Sequence, residues 1–93
     1  MRSDLIARRS PDVVARPLAE GEGGVLLHLD SGAYFSVNPV GLVIWDLIDG
    51  QRTVADLAEA LRERIENGPQ DLEADVAAFI GRAAERKLIV VDD

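Results

Sequence analysis

The chain has no cysteine. That absence removes disulfides, thiolate metal sites and cysteine nucleophiles together. Histidine is nearly absent too. His28 stands alone, and without cysteine or a fixed carboxylate pair beside it an imidazole makes a poor metal ligand or general base. A surface or structural role is expected for it. No apolar run approaches the ~20 residues of a bilayer-spanning helix. Residues 1–9 are not followed by the apolar core of a signal peptide, so the cytoplasm is the expected compartment. Positive charge is scarce: 10 Lys and Arg face 17 Asp and Glu, for a formal charge of −7. The averaged field repels a phosphate backbone unless the basic residues gather on one face.

Catalytic patterns are missing as well. Gly21-Glu22-Gly23-Gly24 has glycines, but no lysine and no helix follows, so it is no phosphate loop. Ser3, Ser10, Ser31 and Ser36 have neither an elbow motif nor a placed histidine. Glu59, Glu63 and Glu66 run at helical spacing beside Arg62 and Arg64, which reads as a solvated charged face. The chain is therefore expected to be no enzyme, with no catalytic residue, no metal and no cofactor.

What the chain does have is a hydrophobic fraction of 47% in 93 residues, enough for one small core. Residues 1–10 show no clear period and read as a tail; residues 11–93 read as one domain. Asp12 to Leu18 suggests a first strand that Pro17 pushes to an edge. Val25 to Leu29 is a second strand, with Val25, Leu27 and Leu29 on one face and Leu26 and His28 on the less apolar one. Asp30-Ser31-Gly32 is a tight hairpin. Ala33 to Val37 is a third strand, and everything else is arranged around it. It runs straight into a helix, because Asn38 offers a capping oxygen and Pro39 fits the first helical position.

Gly50 is expected to end this first helix in a left-handed cap. Thr53 opens a second helix, with Asp56 three residues on. Its stripe is Val54, Leu57, Ala58, Leu61 and Ile65, and Asn67-Gly68-Pro69 stops it. A third helix runs from about Asp71 to about Lys87. Leu72, Val76, Phe79, Ile80 and Ala83 fall within one arc of ~100°, with Asp75, Arg82 and Arg86 along one margin. Leu88 to Val91 is an apolar tail expected to return to the core, with Asp92 and Asp93 solvated. The fold class is α+β, a three-stranded antiparallel sheet followed by three helices.

A three-stranded sheet keeps two edges, and an edge offers unpaired N–H and C=O groups. Arg16 and Pro17 protect the first strand. The third strand has no charge, and no proline until it ends. Either the third helix or the C-terminal tail covers that edge, or the edge accepts a peptide as a fourth strand.

The stretch Tyr34-Phe35-Ser36-Val37-Asn38-Pro39-Val40-Gly41-Leu42-Val43-Ile44-Trp45-Asp46-Leu47-Ile48-Asp49-Gly50 resembles the PqqD-like proteins. Thr53-Val54-Ala55-Asp56-Leu57, the Asp75-to-Ile80 segment and the Lys87-Leu88-Ile89 ending fit the same pattern in the same order. The resemblance implies a winged helix-turn-helix-like domain, a RiPP recognition element that binds the leader segment of a ribosomally made precursor peptide between the third strand and the third helix. Carried over by position, the contacts would be Ala33, Tyr34, Phe35, Ser36 and Val37 on the strand. On the helix they would be Asp75, Val76, Phe79, Arg82, Ala83 and Arg86. The Tyr34-to-Gly41 stretch is most similar to the lasso-peptide branch, whose partners are a transglutaminase-like leader peptidase and an ATP-dependent cyclase. The sibling reading is a peptide chaperone for a radical enzyme in quinone-cofactor biosynthesis. A winged-helix DNA binder suits the topology, but the acidic charge and the lack of a basic, amide-rich run on the third helix oppose it. No nucleic-acid and no membrane partner is expected.

Overall fold

Leu26 is fully buried at the centre of the middle strand, and the fold is built outward from it. A computed structural model describes residues 4–19, 21–64 and 72–92. The elements are β1 (Ile6–Arg9), β2 (Val13–Pro17), β3 (Gly24–His28), β4 (Tyr34–Val37), α1 (Pro39–Leu47), α2 (Val54–Arg64), α3 (Leu72–Glu85) and β5 (Ile89–Asp92). β2, β3 and β4 form an antiparallel sheet in that order, and β1 pairs with β5 in a separate ribbon. The expected α+β fold, with its three-stranded sheet and three helices, is the one found.

The register places Leu26 opposite Ala15 on β2 and Phe35 on β4. These three face the helices. The expected apolar face of β3 is thus the outer one: Leu29 is 59% exposed, whereas Leu26 is 0% exposed. Alternation alone could not choose, because both faces of β3 carry large apolar residues. Gly24 breaks the tie. A Cβ there would lie 2.8 Å from the Arg16 carbonyl oxygen and 3.3 Å from Leu42 Cδ1, so α1 packs tightly against this side. His28 shares the core-facing side, and its Nδ1 is buried with no hydrogen-bond partner among the described residues.

Ile6–Arg9 lie in the stretch expected as a tail, yet they pair with Ile89–Asp92. Ala7 is buried, Val54 N–H donates to the Leu5 carbonyl at 3.0 Å, and Arg8 Nε meets Asp92 Oδ2 at 2.7 Å. Asp92 is therefore ion-paired rather than simply solvated. Only small Ala7 is deeply buried on β1, so the strand has little apolar contrast to reveal it. Leu88 and Ile89 do return to the core.

The helix starts follow local chemistry. Asn38 Oδ1 accepts the Gly41 N–H at 2.7 Å, and Pro39 is the first residue of α1. Thr53 and Asp56 exchange two bonds at 3.1 Å: Thr53 N–H donates to Asp56 Oδ2, and Asp56 N–H to Thr53 Oγ1. This reciprocal pair satisfies two N–H groups that the helix start leaves unpaired. The end of α1 differs from expectation. Ile48, in an extended conformation, caps it, and Gly50 (φ 80°) turns the chain only afterwards. Asp49 Oδ1 accepts the N–H groups of both Gln51 and Arg52 at 2.9 Å, and Arg52 Nη1 donates to the Leu47 carbonyl at 2.7 Å. The Gln51 N–H, then the Arg52 N–H, hold the Asp49 carboxyl below its ordinary value.

α3 ends earlier than expected, at Glu85. Lys87 adopts φ 63°, the Leu88 N–H reaches the Ala83 carbonyl at 2.9 Å and the Lys87 N–H reaches that of Ala84 at 3.1 Å. That pair of bonds is the Schellman closure, here with lysine in the place glycine usually takes. Ile65, Glu66, the Asn67-Gly68-Pro69 stop, Asp71 and Asp93 lie outside the described residues.

Candidate functional site

The His28 N–H donates to the Ala33 carbonyl at 2.8 Å. Hydrogen-bonded and non-bonded pairs alternate along an antiparallel ladder. With β3–β4 partners at Leu26↔Phe35 and Gly24↔Val37, Phe35 and Val37 spend their backbone groups on β3. Tyr34 and Ser36 therefore point their N–H and C=O groups away from it. No described strand pairs with that side of β4. The C-terminal strand, one alternative cover, pairs with β1 instead. The opposite edge of the sheet is blunted: Pro17 has no N–H there, and the Val13 N–H is taken by the Ser10 carbonyl.

Beside the open edge lies a cavity of about 450 Å³ between β4 and α3. Tyr34, Phe35, Ser36 and Val37 form one wall, and Phe79, Arg82, Ala83 and Arg86 form the other. Leu26 and Leu88, both buried, contribute apolar floor, and Asn38 and Gly41 close one end. Arg86 Cζ sits 4.8 Å from the centroid of the Phe35 ring, within cation–π range. Arg82 and Arg86 carry no ion pair with another described residue. The cleft therefore offers main-chain donors and acceptors along one side, an apolar floor and two available guanidinium groups at its rim. No group of three metal-ligating side chains occurs among the described residues.

Eight residues expected at a peptide site line this cavity: Tyr34, Phe35, Ser36, Val37, Phe79, Arg82, Ala83 and Arg86. Three do not. Val76 is fully buried and is not among the lining residues. Asp75 is exposed on α3 outside the lining. Ala33 spends its carbonyl on His28 and its N–H on Ser31 Oγ at 3.2 Å. The sequence reading missed Leu26, Leu88, Asn38 and Gly41 as lining residues. Of these only Gly41 carried a signal, a glycine placed inside a helix.

The profile of the family described as coenzyme PQQ synthesis protein D (PqqD) matches residues 23–89. The chain belongs to the PqqD family. The matched span contains β3, β4 and all three helices, and hence both walls of the cleft. Among solved structures, the PqqD-family chain is similar to "TbiB1 in Complex with the TbiA(beta) Leader Peptide", at 27% identity and a TM-score of 0.71, over 88% of this chain and 93% of that one. It is similar also to "Lasso peptide synthetase B1 complexed with the leader peptide", at 26% identity and a TM-score of 0.71, over 90% and 96%. No curated protein matches the sequence.

Proposed function

We propose that this protein binds the leader segment of a ribosomally synthesised precursor peptide as a strand added to β4, in the cleft beneath α3. The observation that carries this reading is the open edge itself, where Tyr34 and Ser36 present unshared backbone groups beside an apolar cavity. Two outward residues offer up to four bonds, each worth about 1 kcal/mol net, and they grip any sequence. Selectivity then comes from side chains entering the cavity and from carboxylates meeting Arg82 and Arg86. Two similar structures hold leader peptides, which supports the same ligand class here. Ala33, Asp75 and Val76 are not placed in the contact set.

In this reading the protein does no covalent chemistry. It presents the rest of the precursor to a separate transglutaminase-like leader peptidase and then to an ATP-dependent cyclase, as in lasso-peptide maturation, in the cytoplasm. No described helix is long and apolar enough to cross a membrane. A second reading, a peptide chaperone for a radical enzyme of quinone-cofactor synthesis, is favoured by the description of the matching family.

The test is a titration with a synthetic leader of a lasso-peptide precursor, followed by amide chemical shifts. Shifts should concentrate on residues 34–37 and 79–86. A saturable interaction that leaves both segments unmoved would place the site elsewhere. Titrating leaders of the two pathways side by side separates the two readings.

A further inference from the structure

Gly41 is the third residue of α1, where alanine is the stronger helix former. Its backbone does not demand glycine, because it is not among the residues with positive φ. Its surroundings do. A Cβ at this position would stand 3.1 Å from Phe79 Cε2, 3.2 Å from Asn38 Oδ1 and 3.3 Å from Val37 Cβ. Carbon atoms in ordinary contact sit farther apart, near 3.5–4.0 Å, on the order of half an ångström more than this. Two of these neighbours are fixed. Asn38 is held by its capping bond to the Gly41 N–H, and Val37 by its pairing with Gly24. The third is the free end of an aromatic side chain. Val76, Ile80 and Ala83 close the core side of α3, so the side on which the Phe79 ring can give is the cleft.

We propose that Gly41 is a specificity-determining residue of this cleft. By lacking a side chain it lets the Phe79 ring lie back against α1. That keeps the end of the cavity between Phe79 and Val37 wide enough for a large apolar side chain of the guest strand. The inference rests on the peptide-binding reading above. It assigns a role to a residue whose identity neither helix formation nor a turn explains.

The test uses four proteins, wild type, Gly41→Ala, Phe79→Leu and the double variant, titrated calorimetrically with the same synthetic leader and melted in parallel. Gly41→Ala should bind ~10-fold more weakly, the scale of one methyl-sized change in an apolar pocket. Its melting temperature should fall modestly, since the methyl crowds the fixed Asn38 cap and Val37 and the helix preference of alanine offsets only part of that. In the Phe79→Leu background, where no ring needs to move, the same substitution should change affinity by less than ~3-fold, a coupling between touching side chains. Wild-type affinity in Gly41→Ala would overturn the proposal, and so would a loss that is as large in the Phe79→Leu background as in the wild type. Should Gly41→Ala alone melt without cooperativity, the double variant is compared with Phe79→Leu, and a tenfold difference there overturns it equally. If the wild-type chain does not bind the leader, the peptide-binding reading itself fails, and the inference falls with it.

Discussion

Replacing Phe79 by alanine separates what the cleft does for folding from what it does for a guest. Phe79 lies on the cavity wall, partly buried and packed against the core cluster. A phenylalanine buries ~200 Å², and if about a third remains open for a guest, ~70 Å² at ~25 cal/mol per Å² contributes ~1.7 kcal/mol to binding. That is roughly a tenfold to twentyfold rise in Kd. The covered remainder is worth ~3 kcal/mol to the fold at the same coefficient, towards the low end of the cost of emptying a fully enclosed site. A domain of this size typically has ~5–14 kcal/mol in hand, so the variant should fold while melting ~10–20 °C lower. Calorimetric titration with the leader, well below that melting point, reads the binding part alone. A folded Phe79→Ala protein with unchanged Kd would refute the placement of the guest against α3. Phe79→Leu, which keeps most of the apolar surface, should fall between the two.

Two further outcomes follow from the same geometry. Ser36→Pro removes an N–H that points away from β3, so the sheet should survive while leader affinity falls ~5-fold or more, the worth of one bond; Phe35→Pro, which breaks the ladder to Leu26, should instead abolish cooperative melting. Asp49 is held below its ordinary carboxyl value by the Gln51 and Arg52 N–H groups, so its contribution is complete above the unfolded value near pH ~4 and is lost as pH falls through the lower folded one. Asn keeps the acceptor without the charge, so denaturant melts should show Asp49→Asn weaker than wild type at neutral pH, with the gap closing in acid; a gap independent of pH would contradict this.

Helix starts were legible because their causes are local. Asn38 with Pro39, and Thr53 with Asp56, each act within three residues, and the sequence shows both partners at once. The open edge was legible from what Tyr34 to Val37 lack. Other features depend on distant partners. Ile6–Arg9 becomes a strand only because Ile89–Asp92 comes alongside, and Ala7 gives no apolar contrast to announce it. The buried face of β3 was decided by Gly24 admitting Leu42 of α1, not by alternation within β3. Leu26 and Leu88 contribute to the cavity floor from distant parts of the chain, and no local pattern joins them. Asp75 and Val76 follow helical spacing on α3, but spacing fixes an angle around the helix and not which residues a neighbouring strand leaves uncovered.

The most direct measurement is backbone amide hydrogen exchange of β4, residue by residue, without and with saturating leader peptide. Phe35 and Val37, already bonded to β3, should be protected in both states, while Tyr34 and Ser36 should exchange fast alone and slow markedly in the complex. Fast exchange at Tyr34 and Ser36 in a saturated complex would contradict strand addition at this edge.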